Sequence, residues 1–174
     1  MALLDIRTYG DDVLRKKSGH VEKVTPELVQ LAEDMLETMY EAAGCGLAAP
    51  QIGKNIRLVV IDISRPDDGD EKHPFIMFNP EWEEEPDSEP VTVEEGCLSI
   101  PEIWINVTRP GKVTVRYTDE KGEAREINHC EGIFARAIQH ESDHLDGKLF
   151  VDKISPADRS LNESKLKKMA KKKG

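Results

Sequence analysis

Two histidines and a glutamate stand at a spacing that could hold and use a metal ion. The sequence reads QHESDHL at residues 139–145, which contains a His-Glu-x-x-His pattern. Residues four apart lie one turn above each other on an α-helix, so His140 and His144 can offer two imidazole nitrogens to one ion. Glu141 flanks the same face and can take a proton from a water molecule on the metal. The pattern therefore predicts metal-assisted hydrolysis.

The simpler alternative is that His140 and His144 are ordinary histidines on a helix face. The preceding Ile133, Ala137 and Ile138 give that helix an apolar side, which predicts that it is buried. Burying imidazoles and carboxylates without partners costs roughly 1–3 kcal/mol for each group. Burial therefore favours the metal site.

A catalytic site of this type needs a third protein ligand and keeps one position for water. The side chains that could supply it are His20, His73, His129, Glu163 and Cys97. The three histidines stand isolated in polar surroundings, which favours surface positions. Glu163 lies near the spacing of the downstream glutamate in one class of zinc peptidases, but it falls in a lysine-rich tail. Cys97, which we expect in a polar turn before Ile100, is the better candidate, because its thiolate would complete a Cys-His-His set.

Length and composition indicate one soluble globular domain. The chain has 174 residues, of which 38% are hydrophobic and 33% charged. No run approaches the roughly 20 apolar residues of a membrane span, and the first residues become charged too early for a secretory signal. Three cysteines predict no disulfide framework and a reducing, cytoplasmic location.

Charge is distributed unevenly along the chain. The net charge of −10 argues against a general nucleic-acid binder, and we expect neither a membrane nor sequence-specific nucleic acid among the partners. Residues 155–174 contain seven basic and two acidic residues, so they carry +5 and residues 1–154 carry −15. We expect a catalytic domain at 1–154 and a basic, helical tail at 155–174. The tail is either an arm for an anionic partner such as ribosomal RNA or a solvated helix end.

Local patterns predict the elements that position these residues. Thr25 caps a long helix, with Pro26 in its first turn. Apolar runs at residues 56–63 and 75–78 predict buried strands, and the alternation and turn within residues 113–129 predict a β-hairpin. The expected fold is a single α+β domain with largely antiparallel sheets packed around the central metal-binding helix.

Three segments, in this order along the chain, resemble the signature motifs of the peptide deformylases. They are GCGLAAPQ at residues 44–51, EGCLS at residues 95–99 and QHESDH at residues 139–144. The opening IRTYGD at residues 6–11 is similar to the N-terminus of that family, so the resemblance spans nearly the whole chain.

The resemblance implies removal of the formyl group from the N-terminal formyl-methionine of newly synthesised proteins. It implies that Cys97, His140 and His144 bind the metal and that Glu141 acts first as general base and then as general acid. It places two donors at the developing oxyanion, which are the Gln51 side chain and the backbone N–H of Leu98.

Substrate contacts are implied for two further groups of residues. The bare backbone at Gly44, Cys45 and Gly46 could pair with the nascent peptide as an added strand. Ile133 and Ala137 are candidates for the methionine pocket, with plain core packing as the alternative. Cys45 stands where the family usually has a branched aliphatic residue.

A network of Asp143, Glu95 and Arg109 is predicted to orient the metal ligands, the alternative being surface salt bridges. Trp104 stands where some family members carry an arginine that contacts the substrate backbone.

The resemblance suggests one divalent metal ion, natively Fe²⁺, which Zn²⁺, Ni²⁺ or Co²⁺ could replace. The implied partners are N-formylmethionyl nascent peptides and, through the basic tail, the ribosome. Two other functions fit the residues. The first is a zinc endopeptidase that uses His140, His144 and Glu163, and the second is a structural metal module held by Cys97, His140 and His144.

Overall fold

Three α-helices and two antiparallel β-sheets form the fold in the computed structural model, which describes residues 2–65 and 68–173. The helices are α1 (Pro26–Glu41), α2 (Gly132–Leu145) and α3 (Pro156–Lys173). The strands are β1 (Gly46–Ala48), β2 (Leu58–Ile61), β3 (Phe75–Glu84), β4 (Pro90–Cys97), β5 (Ile100–Pro110), β6 (Lys112–Thr118) and β7 (Ala124–Glu131). One sheet has the order β1-β2-β3-β6-β7 and the other contains β4 and β5. This confirms the predicted α+β class. Within the described residues, no helix is long and apolar enough to cross a bilayer.

The capping pattern read from the sequence sets the start of α1. The Thr25 hydroxyl accepts a hydrogen bond from the Leu28 N–H at 3.3 Å, and Pro26 occupies the first turn. Buried side chains of α1, among them Met35 and Met39, pack against β1, β2 and β3. The predicted helix is therefore confirmed.

Strand β2 is buried on both faces because the large sheet lies between two helices. Leu58 and Val60 belong to the apolar cluster around α1, whereas Val59 and Ile61 belong to the cluster around α2. A strand covered on both sides has no polar alternation. This explains why the sequence shows one continuous apolar run there.

Strand β4 is the main correction to the sequence-based fold. The sequence predicts Cys97 in a polar turn, but Cys97 is the last residue of β4 and pairs with Ile100 of β5. The sequence patterns predict neither strand. The first five residues of β4 are exposed, while β5 buries Ile103, Ile105 and Val107 in a third apolar cluster. That cluster also contains Leu166 of α3, so the C-terminal helix packs on the hairpin that carries Cys97.

The end of α2 depends on a glycine in the left-handed region. Gly147 has φ 74°, and a Cβ there would lie 2.5 Å from the carbonyl oxygen of Arg15. Gly122, in the β6–β7 turn, has a similar φ of 78°, but a Cβ there would have no atom of the described residues within 4 Å. The two positions therefore share backbone strain and differ in the space available.

We predict that Gly147→Ala destabilises the protein more than Gly122→Ala. The turn variant should lose about 1 kcal/mol of unfolding free energy from the left-handed backbone alone. Gly147→Ala should lose at least about twice as much, because backbone must also move. Urea unfolding of both variants measures the difference, and equal losses would contradict the steric argument.

Candidate metal site and its surroundings

Helix α2 and strand β4 bring three possible metal ligands together. His140 and His144 lie one turn apart on α2, with ring centroids 5.2 Å apart. The Cys97 Sγ lies 3.4 Å from the His144 Nε2. One ligand atom from each of the three residues lies within 4.8 Å of the others. The geometry thus forms the Cys-His-His set expected from the sequence.

The donor set and its surroundings fit a divalent transition metal. A thiolate and two imidazoles suit such an ion and leave a coordination position open. The His140 Nδ1 lies 3.0 Å from a Glu95 oxygen, which leaves its Nε2 for the metal. Burial, which disfavours the charged form, holds the pKa of His144 well below its usual value, so this imidazole is neutral and its lone pair is available.

The other four candidate ligands lie outside this group. His20 and His73 are exposed. The His129 Nδ1 instead lies 2.7 Å from Glu85. Glu163 is on α3, where its carboxylate lies 3.4 Å from the Lys167 Nζ. The structure therefore gives no support to the ligand set of the endopeptidase alternative.

Glu95 is the carboxylate that connects the hairpin to α2. Arg109 donates to both of its oxygens, at 2.6 Å from Nε and 2.9 Å from Nη2. Burial alone would raise the pKa of Glu95, but hydrogen bonds from His140 and Arg109 outweigh it and lower this pKa to about 2. Arg109 also donates to Asp143 at 2.9 Å. The predicted network is present, and the Arg109 and Glu95 side chains are only 3% and 5% exposed, so it is no surface salt bridge.

Arg136 is a member of this network that the sequence did not reveal. Its Nη1 donates to Glu95 and to the Val107 carbonyl, and its Nη2 donates to the Val91 carbonyl at 2.7 Å. One side chain of α2 thus holds both strands of the hairpin. A basic residue on a helix gives no sequence signal for such a role, because most are solvated.

Glu141 is buried without the donors that surround Glu95. Burial raises the pKa of its carboxyl group to about 7. Its Oε1 has no hydrogen-bond partner among the described residues. A Cβ at Gly46 would lie 2.6 Å from its Oε2, so β1 leaves room for this side chain only because residue 46 is glycine.

Gln51 presents its amide nitrogen to Cys97, one of the three candidate metal ligands. Its side-chain oxygen accepts from the Ala48 N–H at 2.9 Å. Its Nε2 donates to the Ser99 hydroxyl at 3.1 Å and lies 3.5 Å from the Cys97 Sγ. Leu98 directly follows Cys97 in the turn between β4 and β5. Both predicted oxyanion donors therefore border the candidate metal site.

The predicted peptide-binding residues come from two elements, the segment at residues 44–46 and helix α2. A Cβ at Gly44 would lie 2.7 Å from the Leu98 Cδ1, and Cys45 is exposed just before β1. On α2, Ala137 is buried in the cluster around that helix, whereas Ile133 is 52% exposed. Ile133 is therefore not a core residue.

Val93 is a further apolar candidate that the sequence did not reveal. It lies two residues before Glu95 on the same face of β4, pairs with Val107 and is 46% exposed. Arg136 contacts the neighbouring Val91 carbonyl, which holds this face against α2. If β4 had been predicted as a strand, Val93 would have been placed on the same face as Glu95, because side chains two residues apart share a face.

The sequence matches a family of known proteins. A family model described as polypeptide deformylase matches residues 3–160. A protein named peptide deformylase from Bradyrhizobium sp. (strain ORS 278) is 46% identical over 176 residues, covering 100% of this chain and 99% of the relative. Another from Syntrophobacter fumaroxidans is 44% identical over 172 residues and covers 98% of both chains.

Solved structures agree with the sequence relatives. The crystal structure of peptide deformylase from Ehrlichia chaffeensis in complex with actinonin has a TM-score of 0.86 and 36% identity, covering 97% of this chain and 98% of that one. Peptide deformylase from Thermus thermophilus has a TM-score of 0.85 and 40% identity, covering 98% of this chain and 99% of that one.

We predict that Glu141→Gln stabilises the metal-free protein at alkaline pH. The folded-state pKa of about 7 exceeds the ordinary 4.5, so between these values the unfolded chain releases a proton that the folded chain retains. The contribution of Glu141 to stability therefore falls as pH rises and stays low above about 7. Glutamine cannot ionise. Thermal unfolding at about pH 8 should show a higher midpoint for the variant, and at about pH 4 the difference should vanish. An equal midpoint at both pH values would contradict this.

Replacing Arg136 should cost far more stability than replacing an exposed arginine. Arg136→Met leaves the buried Glu95 without one of its cationic partners, which should remove about 3 kcal/mol of unfolding free energy. Arg116 is 53% exposed and pairs with Glu83, so Arg116→Met should cost less than about 1 kcal/mol. Urea unfolding of the metal-free variants gives both values. Similar losses would show that Arg136 holds no buried charge in place.

Proposed function

The chain belongs to the polypeptide deformylase family, and from this premise we propose how its own residues bind the metal and the substrate. It is a metal-dependent hydrolase that removes the formyl group from the N-terminal formyl-methionine of newly synthesised proteins. The observation that carries the assignment of residues is the convergence of Cys97, His140 and His144 beside the buried Glu141.

Cys97, His140 and His144 hold one divalent metal ion, and Fe²⁺ is the native ion we propose, with Zn²⁺, Ni²⁺ or Co²⁺ able to replace it. When bound, the ion supplies Lewis acidity, which makes hydroxide available near neutral pH. Glu95 orients the His140 ring through its Nδ1, and Arg109 and Arg136 hold Glu95.

Glu141 is the general base and then the general acid. It accepts the proton of the attacking water and passes it to the amine that leaves as the formyl group is removed. A carboxyl pKa of about 7 supports both steps, because the group can accept and return a proton at neutral pH. Burial excludes bulk water that would otherwise exchange this proton.

Gln51 and the backbone N–H of Leu98 stabilise the oxyanion of the tetrahedral intermediate. Ala48 fixes the Gln51 side-chain oxygen, so the amide nitrogen points toward Cys97 and cannot rotate away. Such a preorganised donor requires no rearrangement during the reaction. Its removal should lower the rate by about 10²–10³-fold.

The peptide binds as an added strand between two sheet edges. β1 is an edge strand of the large sheet, and β4 pairs only with β5 among the described strands. Gly44, Cys45 and Gly46 offer backbone at the first edge, and an extended peptide can pair with such an edge. Ile133, Ala137 and Val93, of which the first and last are about half exposed, receive the methionine side chain.

The C-terminal tail adds a second proposal about partners. We assign residues 1–154 to the catalytic domain and residues 155–174 to a basic tail that carries +5. Leu166 anchors α3, while Lys165 and Lys168 are exposed. A helix fixed to the enzyme with exposed lysines suits an anionic surface such as that of the ribosome, in the cytoplasm where nascent chains emerge.

Amine release from formyl-Met-Ala-Ser, with acetyl-Met-Ala-Ser as the control substrate, tests the proposed function. The protein is purified without air, because ferrous iron is easily oxidised. We expect release from the formyl peptide alone. Glu141→Ala should abolish release while retaining the metal, and Cys97→Ser should lose both metal and activity. Glu163→Ala is the matched control and should keep full activity.

Metal content measured beside activity separates the assignments from the function. Loss of activity in Glu163→Ala with an active Cys97→Ser variant would favour the endopeptidase ligand set. A metal-loaded wild-type protein that releases no amine would remove the catalytic assignment.

A further inference from the structure

Trp104 is a large aromatic side chain left open to solvent beside the site. It is 65% exposed, although it lies within β5. Along this strand Ile103, Ile105 and Val107 are buried, whereas Trp104 and its alternating neighbours are exposed. Trp104 therefore lies on the outer face of the two-stranded sheet.

The backbone of Gly96 lies directly under the Trp104 ring. A Cβ at residue 96 would lie 2.7 Å from both Cε3 and Cζ3 of the ring. Real Cβ atoms do not approach carbon so closely, so the ring occupies this place because residue 96 has no side chain. Gly96 precedes Cys97, and the indole is consequently held one residue away from a proposed metal ligand.

The strand register explains why the indole reaches this position. Glu95 pairs with Ile105 and Cys97 pairs with Ile100, so four residues of β5, 101–104, lie opposite Gly96 alone. The backbone of Glu102 has φ 67°, in the left-handed region. Such an irregularity redirects a side chain from the regular sheet. Here it directs the indole over Gly96.

An added peptide strand would bring one of its side chains to this indole. Side chains of a strand alternate between the two faces of a sheet. In the binding mode proposed above, the methionine side chain occupies the inner face, on which Val93 and Glu95 lie. The side chain of the second residue then projects to the outer face, where Trp104 is exposed.

We propose that Trp104 is a specificity-determining residue that packs against the second side chain of the formyl peptide and favours aromatic residues there. This inference rests on the proposed function. Paired aromatic rings favour offset or edge-on packing. An acidic second residue is disfavoured, because the exposed Glu94 also lies on the outer face, in register with Asn106.

The test compares kcat/KM for formyl-Met-X-Ser, in which X is phenylalanine, alanine or aspartate. In the wild-type enzyme we expect phenylalanine to exceed alanine by about threefold to tenfold and aspartate to be the poorest. Trp104→Ala should bring the phenylalanine and alanine substrates to equal values, while Trp104→Phe should retain part of the preference. A second series, formyl-Met-Ala-X, should show no dependence on residue 104.

Fluorescence supplies a readout that does not depend on turnover. The chain has two tryptophans, so Trp82→Phe leaves Trp104 as the only one. Trp82 lies on β3 and packs against the apolar cluster around α2. In this variant the product peptide Met-Phe-Ser should shift the Trp104 emission more than Met-Ala-Ser does.

The outcomes separate this inference from the function on which it rests. If formyl-Met-Ala-Ser is hydrolysed and the phenylalanine preference is the same in wild type and Trp104→Ala, the role of Trp104 is overturned and the deformylase function stands. An unchanged Trp104 emission on binding of Met-Phe-Ser overturns it as well. If no formyl peptide is hydrolysed by the metal-loaded enzyme, both proposals fail.

Discussion

A carboxylate removed from water keeps its charge only when hydrogen-bond donors surround it. The arrangement of this site follows from the donors that Glu95 needs. Its donors come from two elements, with Arg109 on β5 and both Arg136 and His140 on α2. Glu95 itself belongs to β4, two residues before Cys97. Satisfying one carboxylate therefore fixes the hairpin that carries the thiol against the helix that carries the imidazoles. The ligand geometry and the fold are consequences of the same hydrogen bonds.

Absent side chains are the second constraint on the site. Gly46 leaves space for Glu141, and Gly44 leaves space for Leu98. Gly96 likewise underlies an exposed aromatic ring. In each case a side chain packs against the bare backbone of a glycine, which has no rotamer to adjust. Such contacts fix the positions of these side chains. Because the glycines have no side chains of their own, an extended peptide can also approach their backbone.

Features that depend on short stretches of sequence were predictable, and those that depend on tertiary placement were not. The spacing of His140 and His144, the Thr25 cap and the β6–β7 hairpin all follow from local rules. Strand β4 was missed because the next position on the face of Val91 and Val93 is the charged Glu95, so the apolar alternation ends after two residues. Arg136 was missed because its partner Glu95 is far away in the sequence. Nothing in the residues next to Arg136 indicates that its side chain is partly buried. Cys97 was identified through ligand chemistry and family resemblance, without its strand.

Two buried carboxylates in this site differ in the direction of their pKa shifts, and that difference supports the roles that we propose for them. Glu95 accepts hydrogen bonds from Arg109 and His140, which hold its pKa at about 2 against the effect of burial. Glu141 has burial without comparable donors, and its pKa rises to about 7. A group that stays ionised throughout the physiological range can orient a ligand but cannot exchange protons usefully. A group that titrates near neutrality can do so, at the cost of destabilising the fold when it ionises. The arginines that secure Glu95 thus also leave Glu141 as the carboxylate that, in the mechanism we propose, transfers protons.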